Sequence, residues 1–491
     1  MVAAMRRRNR YEPKSGGGVA GRRRHAAASV LLTAALAAAA ASGCSDARSA
    51  PELAVGVAKR DITPDAATAP PNGSVYLGGY GLGPERPSTG VLDRIHVRAF
   101  VVSNGDQTLA FIENETQGMF AAYRSGPYGL TDAARKIEIA TGGAIPREHV
   151  FASSDHSHAG PDTTGVWGGL PDSYLSYIGE QIVGVVLEAY AARRPAELWV
   201  GGVDATDLIT SQFHEPPNDV VDGEVRVLLA TEPGGGPETA HAALVNYSAH
   251  ATVMGGGNTL ISADWPGPFA SGIERALGID TAVVMVADVG RTQPRDGDVP
   301  GDTDQEKLAG YAERVLNRAL AAVERAEKRS GTEIAGAWLF LREPYQNPSF
   351  PLSFLGSAIS RDDQLPWLDG ETIGTLVGAA RIGDLFFAAI PGEGYPAIHF
   401  LVEQALPADM KGFTLGLAND QLGYLIAPES GYPQIAAAAP DNDNALFNVS
   451  PKIGDHVGCV VLAAARSIGV AVGVDPVECA RYAAEDHELP F

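Results

Sequence analysis

Ser153-Ser154-Asp155-His156-Ser157-His158-Ala159-Gly160-Pro161 follows directly on the apolar run from His149 to Ala152. The run reads as a buried strand and the Gly-Pro pair as the turn that ends it. Residues two apart on an extended chain point the same way, so His156 and His158 can converge on one ion or one substrate. Further strands are expected at Thr108 to Ile112, Ala242 to Tyr247, Ala282 to Val286, Leu385 to Ile390 and Phe413 to Leu417. Between them lie helical patterns. Leu175, Ile178, Ile182, Val185 and Ala189 recur at helical spacing behind a capping Asp172, and Leu308, Tyr311, Ala312, Val315 and Ala319 do so later. Strands alternating with helices, without repeats or long low-complexity linkers, predict an α/β fold with a mixed β-sheet core flanked by helices.

Other expected strand ends also deliver side chains with metal-ligand chemistry. His250 closes Ala242-Ala243-Leu244-Val245-Asn246-Tyr247-Ser248-Ala249, Glu393 sits in Ile390-Pro391-Gly392-Glu393-Gly394-Tyr395-Pro396, and Tyr424 follows Leu417-Ala418-Asn419-Asp420-Gln421-Leu422-Gly423. Taken singly, these read as an interior histidine, a loop carboxylate and a half-buried aromatic. Their repetition at strand ends, where α/β sheets collect their sites, favours a shared centre.

In this order the segments resemble the neutral/alkaline non-lysosomal ceramidases, from about Val55 to Val474. The likeness rests on Val57-Ala58-Lys59-Arg60-Asp61-Ile62-Thr63-Pro64, Gly78-Gly79-Tyr80-Gly81, the His-x-His-x-Gly-Pro segment and the contexts of His250, Glu393 and Tyr424. The resemblance implies a zinc ion held by His156, His250, Glu393 and Tyr424, with His158 beside it, and hydrolysis of an amide or similar acyl bond. Two imidazoles, a carboxylate and a phenol oxygen suit zinc, and the same ligands accept other first-row ions. Proton transfer falls to His158 or to a carboxylate such as Asp155 or Asp264. Asp264, in Ile261-Ser262-Ala263-Asp264-Trp265-Pro266-Gly267, reads equally as a helix cap.

One segment departs from the family. The family's Gly-Asp-Val-Ser-Pro, whose serine is assigned a catalytic role, has its counterpart here in Ala287-Asp288-Val289-Gly290. Gly290 has no nucleophile to offer, though its N–H can serve an oxyanion. Thr292 is the nearest hydroxyl and Gln293 the nearest amide. The chain also stops soon after the catalytic region, so residues 52–491 are expected to form a single catalytic domain without the immunoglobulin-like domain many ceramidases carry.

Residues 1–51 read as an export segment: Arg22, Arg23 and Arg24 precede an apolar, Ala-rich run from Ala26 to Ala41, closed by Ala41-Ser42-Gly43-Cys44. Cys44 is either a lipid-bearing first residue, which would be the only tie to a membrane, or is discarded with the leader. The run is short for a membrane span. A net charge of −22 argues against nucleic acid as a partner, since phosphate contacts need clustered Lys and Arg. The other two cysteines, Cys459 and Cys479, either bridge, as an oxidising compartment allows, or remain buried thiols.

The stretches Tyr76 to Pro87, Glu215 to Gly223, Asp288 to Gly301 and Gln346 to Leu365 are expected as loops. Within the last, Pro348 to Leu355 is apolar enough to meet an acyl chain or to pack on the core. Three functions are therefore carried forward: a zinc hydrolase of an N-acylated, lipid-like substrate; a metal-dependent amidohydrolase on a TIM barrel; and a surface-anchored zinc- or lipid-binding homologue without turnover.

Overall fold

The computed structural model describes residues 52–65, 75–81, 85–212, 220–347, 359–426, 447–473, 479 and 482–491. Eight principal strands build the larger sheet: β1 (Leu53–Asp61), β2 (His96–Ser103), β3 (Thr108–Asn114), β4 (Val150–Ser154), β5 (Arg194–Asp204), β6 (Glu224–Thr231), β7 (Ala240–Tyr247) and β8 (Ala282–Val286). Their spatial order is β8-β7-β6-β5-β1-β2-β3-β4. The pairs β7–β8 and β3–β4 are parallel and the rest antiparallel, so the sheet is mixed, as expected. A second sheet runs β9 (Ile334–Pro344), β10 (Thr372–Ile382), β11 (Leu385–Ala389) and β12 (Lys411–Leu415), with only β11–β12 parallel.

The two-residue period of these strands decides the layering. Leu228, Leu244, Val283 and Met285 join Phe111, Phe151, Phe387 and Phe413 in one core between the sheets. Their neighbours Val227, Leu229, Val245, Val284 and Val286 face the other way, onto α3 (Pro266–Leu277) and α4 (Asp304–Glu324). On the second sheet Phe340, Leu376 and Phe387 point inward, while Leu341, Val377 and Phe386 pack under α5 (Pro396–Ala405) and α6 (Ile453–Ser467). Helix, sheet, sheet and helix thus stack as four layers. A closed parallel barrel is ruled out by these two open mixed sheets.

Helices α1 (Leu130–Ala140) and α2 (Asp172–Ala191) precede α3, and both helices predicted from periodicity form, as α2 and α4. Asp172 is the first residue of its helix, Asp172–Ala191, and the cap position belongs to Pro171, which corrects the capping role expected for Asp172. The later helix begins at a capping box, Thr303 with Glu306. Cys459 and Cys479 form a disulfide that ties α6 to the C-terminal segment. Among the expected loops, Asp288 to Gly301 contains a short strand, Thr292–Pro294. Tyr76 to Pro87, Glu215 to Gly223 and Gln346 to Leu365 are described in part. Pro348 to Leu355, the leader and Cys44 lie outside the described residues. No described helix is long and apolar enough to cross a membrane.

Candidate metal centre

The parallel pairs β3–β4, β7–β8 and β11–β12 direct several carboxyl ends to one side, and the loops leaving them meet there. His156 comes two residues after β4, His250 three after β7 and Glu393 four after β11. His156 Nε2 and His250 Nε2 approach Glu393 Oε2 at 3.2 and 3.3 Å. All three side chains are buried. His158 Nε2 stands 3.2 Å from His156 Nε2, and the three histidines form one cluster of possible ligand atoms.

Carbonyl groups orient the first two imidazoles. His156 Nδ1 lies 2.7 Å from the Gln117 carbonyl and His250 Nδ1 lies 3.2 Å from that of Thr292. A carbonyl only accepts, so each Nδ1 carries the proton and each Nε2 presents its lone pair to the centre, the arrangement of metal-ligating histidines. His158 Nδ1 is buried with no hydrogen bond among the described residues. His250 Nε2 and Glu393 Oε2 likewise lack a hydrogen bond among the described residues. Buried polar atoms of this kind are costly unless something else satisfies them.

The electrostatics of the cluster are compatible with a bound cation. Burial alone would raise the Glu393 carboxyl, but His156 and His250 outweigh it and hold the group well below the usual carboxylate range. Burial, reinforced by the other two imidazoles, pushes His158 well down, so its ring is neutral near pH 7. The Tyr80 ring packs on it in a T-shaped arrangement at 4.7 Å between centroids.

Tyr424 is drawn to the centre by backbone pairing: Glu393–Gly394 and Tyr424–Leu425 are a short parallel pair in which Glu393 sits opposite Tyr424. Both residues line a pocket with His156 and His158. The remaining walls include Phe120, Val166, Trp167, Leu422 and Phe447, and Arg361, whose charge is met by buried Asp420 at 2.6 Å. About 80 Å³ of the pocket admits water, several times the roughly 10–15 Å³ that one molecule needs.

The other expected site residues hold the frame. Asp264 is buried at φ 55°, and its carboxylate accepts from the N–H groups of Val253, Met254 and Trp265 at 3.1, 2.9 and 2.7 Å. Trp265 Nε1 in turn donates to the His250 carbonyl at 3.1 Å, so Asp264 secures the loop that carries His250. Asp155 faces Glu113 and Glu115, and burial together with these two charges raises its carboxyl well above the ordinary value. Thr292 gives its hydroxyl to the Asp288 carbonyl at 2.7 Å, and Gln293 Oε1 accepts from Thr252. The Gly290 N–H donates to the Gly394 carbonyl at 3.0 Å, which removes it from service to an oxyanion. A β-carbon at Gly290 would lie 2.8 Å from Tyr395 Cδ1 and 2.9 Å from the Gly394 carbonyl oxygen.

A second buried group lies behind this loop, where the His399 ring stands between Asp222 and Asp288 at 3.8 Å from each. Asp222 is already held by Arg226 at 2.7 Å, and neither Asp288 carboxylate oxygen has a hydrogen bond among the described residues.

Among the described residues, the non-glycine positions with left-handed backbone are Tyr80, His156, Asp264, Leu417 and Asn419, all in loops around the centre. Backbone strain of this kind concentrates at functional sites. Solved structures share the architecture. The neutral ceramidase from Pseudomonas aeruginosa superposes with a TM-score of 0.68 at 19% identity, over 87% of this chain and 76% of its own.

The chain has the neutral ceramidase fold.

A ceramidase complexed with C2 gives the same result at a TM-score of 0.67 and 18% identity, over 87% of this chain and 77% of its own. No family model and no curated protein matches the sequence. At such identity the neutral ceramidase fold is legible in the layering rather than in overall residue matches. Gln117, Gln421, Arg361 and Trp167 escaped the sequence reading. The first follows the carboxyl end of β3 just as His156 follows β4, and that placement was the available signal.

Proposed function

We propose that this chain is a zinc-dependent hydrolase that cleaves the amide bond of an N-acylated, lipid-like molecule. The observation that carries the reading is the approach of His156 Nε2 and His250 Nε2 to Glu393 Oε2 at 3.2 and 3.3 Å. Ligands of one zinc ion at about 2.0–2.1 Å stand roughly 3.3 Å apart at the corners of a tetrahedron. Tyr424 supplies the fourth ligand. Zinc held there would polarise an acyl carbonyl and lower the pKa of a bound water.

The chain's own residues do the rest. His158, neutral near pH 7, takes up and returns the proton. The apolar pocket walls exclude bulk water and hold the hydrocarbon part of the substrate. Likeness in fold to neutral ceramidases supports an acyl amide as the bond. The basic, apolar leader and the Cys459–Cys479 bridge support export, to the extracellular space or to the outer face of the cell membrane through a lipid on Cys44. Gly290 favours a second reading, a binding homologue without turnover, because no hydroxyl stands at that position.

Fatty-acid release from ceramide and from simpler N-acyl amides separates the two. Hydrolysis that is lost with a chelator, restored by zinc and absent in His250→Ala is the expected result. Full zinc occupancy with no cleavage of any acyl amide would leave the binding reading in its place.

A further inference from the structure

The pocket beside the metal centre is walled in part by residues 164–169, of which Thr164, Val166 and Trp167 line it. One buried carboxylate holds this segment. Asp162 accepts from the N–H groups of Thr164, Gly165, Trp167 and Gly169 at 3.1, 2.9, 2.7 and 2.9 Å, and from the Thr164 hydroxyl at 2.7 Å. The indole of Trp167 is fixed as well. Its Nε1 donates to the Gly81 carbonyl at 2.7 Å, and its ring meets that of Phe447 at 6.5 Å between centroids. Gly81 and Phe447 both line the pocket, so the ring stands between two parts of its wall. The main chain is closed in too: the Trp167 carbonyl accepts from the Arg86 N–H at 3.2 Å, and a β-carbon at Gly168 would strike the Tyr76 ring.

A wall anchored through both main chain and ring does not retreat before a larger ligand, so the space it leaves sets the size of what enters. About 80 Å³ of that space admits water, room for roughly five to eight water-sized groups at about 10–15 Å³ each. This suits a short hydrocarbon chain and not one of lipid length. We propose that Trp167 is a specificity-determining residue that limits the length of the hydrocarbon chain the pocket accepts. The inference rests on the hydrolase reading and narrows its substrates to N-acyl amides with short chains.

The test uses the zinc-loaded chain and three amides, N-butylhexanamide, N-butyldodecanamide and N-dodecylhexanamide, each below the concentration at which it aggregates. The longer two extend the chain on either side of the scissile bond, and metal content is measured for every variant. The wild type favours N-butylhexanamide over at least one of them by about 10-fold or more in kcat/KM, since a single methylene in an apolar pocket is worth about 10–200-fold. In Trp167→Ala that ratio falls by about 10-fold or more, whereas Trp167→Phe, which keeps a ring at the wall, retains most of it. A wild type with no preference for the shorter compound overturns the proposal, as does a ratio unchanged in Trp167→Ala at full metal content. Should Trp167→Ala fail to fold, Trp167→Leu takes its place. Should the wild type cleave none of the three at full zinc, the hydrolase reading fails, and calorimetry with the same compounds decides the role of Trp167. Tighter binding of N-butylhexanamide than of at least one longer amide, lost in Trp167→Ala, sustains it; equal binding of all three in the wild type overturns it.

Discussion

Gly290 lies so close to Glu393 that no side chain fits between them: a β-carbon would fall inside contact distance of the Glu393 carbonyl oxygen. The loop that carries Gly290 is bonded on one side to Gly394, and on the other Thr292 offers its carbonyl to His250. It therefore joins the strand ends that supply two of the proposed ligands.

A serine at this position is consequently expected to harm the centre. Gly290→Ser should push the Glu393 main chain outward and weaken zinc binding by about 10- to 100-fold, as changes behind a ligand usually do. Overpacking should also cost about 1–3 kcal/mol of stability. Competition with a chromogenic chelator measures the first and denaturant unfolding the second. Wild-type affinity in Gly290→Ser would show that the loop has room.

Asp264 separates a framework role from a catalytic one. Its three backbone donors and left-handed conformation make it a fastening for the His250 loop. Asp264→Ala should lose about 2–4 kcal/mol, because buried N–H groups are left unpaired. Asn tolerates the same backbone and retains an acceptor, so Asp264→Asn should keep the pH profile of hydrolysis. A profile shifted in Asp264→Asn would return this residue to the chemistry.

Asp288 gives stability a definite pH slope. Burial raises its carboxyl to about 7, against partial relief from His399, whereas the unfolded value lies near 3.9. Between these values the native state holds a proton that the unfolded chain has lost, so stability is greatest at acid pH and declines as pH rises through 7. Burial lowers the His399 pKa, but Asp222 and Glu403 outweigh it, and the raised net value adds a slope of the same sign. Asp288→Asn should flatten the profile and stabilise the protein at pH 8 by on the order of 1–3 kcal/mol. Urea midpoints at pH 5 and pH 8 report it, and equal slopes in both proteins would refute the assignment.

The α/β layering was legible because strands such as Ala282–Val286 are continuous apolar runs and α4 repeats its apolar residues at helical spacing. His156, His250 and Glu393 were legible because each follows such a run by a few residues. The roles of Asp264 and Thr292 were not, since a carboxylate or hydroxyl in a loop carries no mark of whether it faces substrate or backbone. Trp167 was hidden for a related reason. A place on the pocket wall is a property of three parts of the chain packed together, 79–81, 164–169 and Phe447, and not of any one of them. The steric demand at Gly290 comes from Glu393 and Tyr395, more than a hundred residues away in sequence, so no local pattern around Gly290 announces it.

Metal analysis of the purified protein alongside His156→Ala and His250→Ala tests the central claim most directly. The account predicts about one zinc ion per chain in the wild type. It predicts loss of that ion in both variants with helix and strand content preserved, because the ligands leave the sheets at strand ends rather than filling the core. Full metal occupancy in either variant would contradict it.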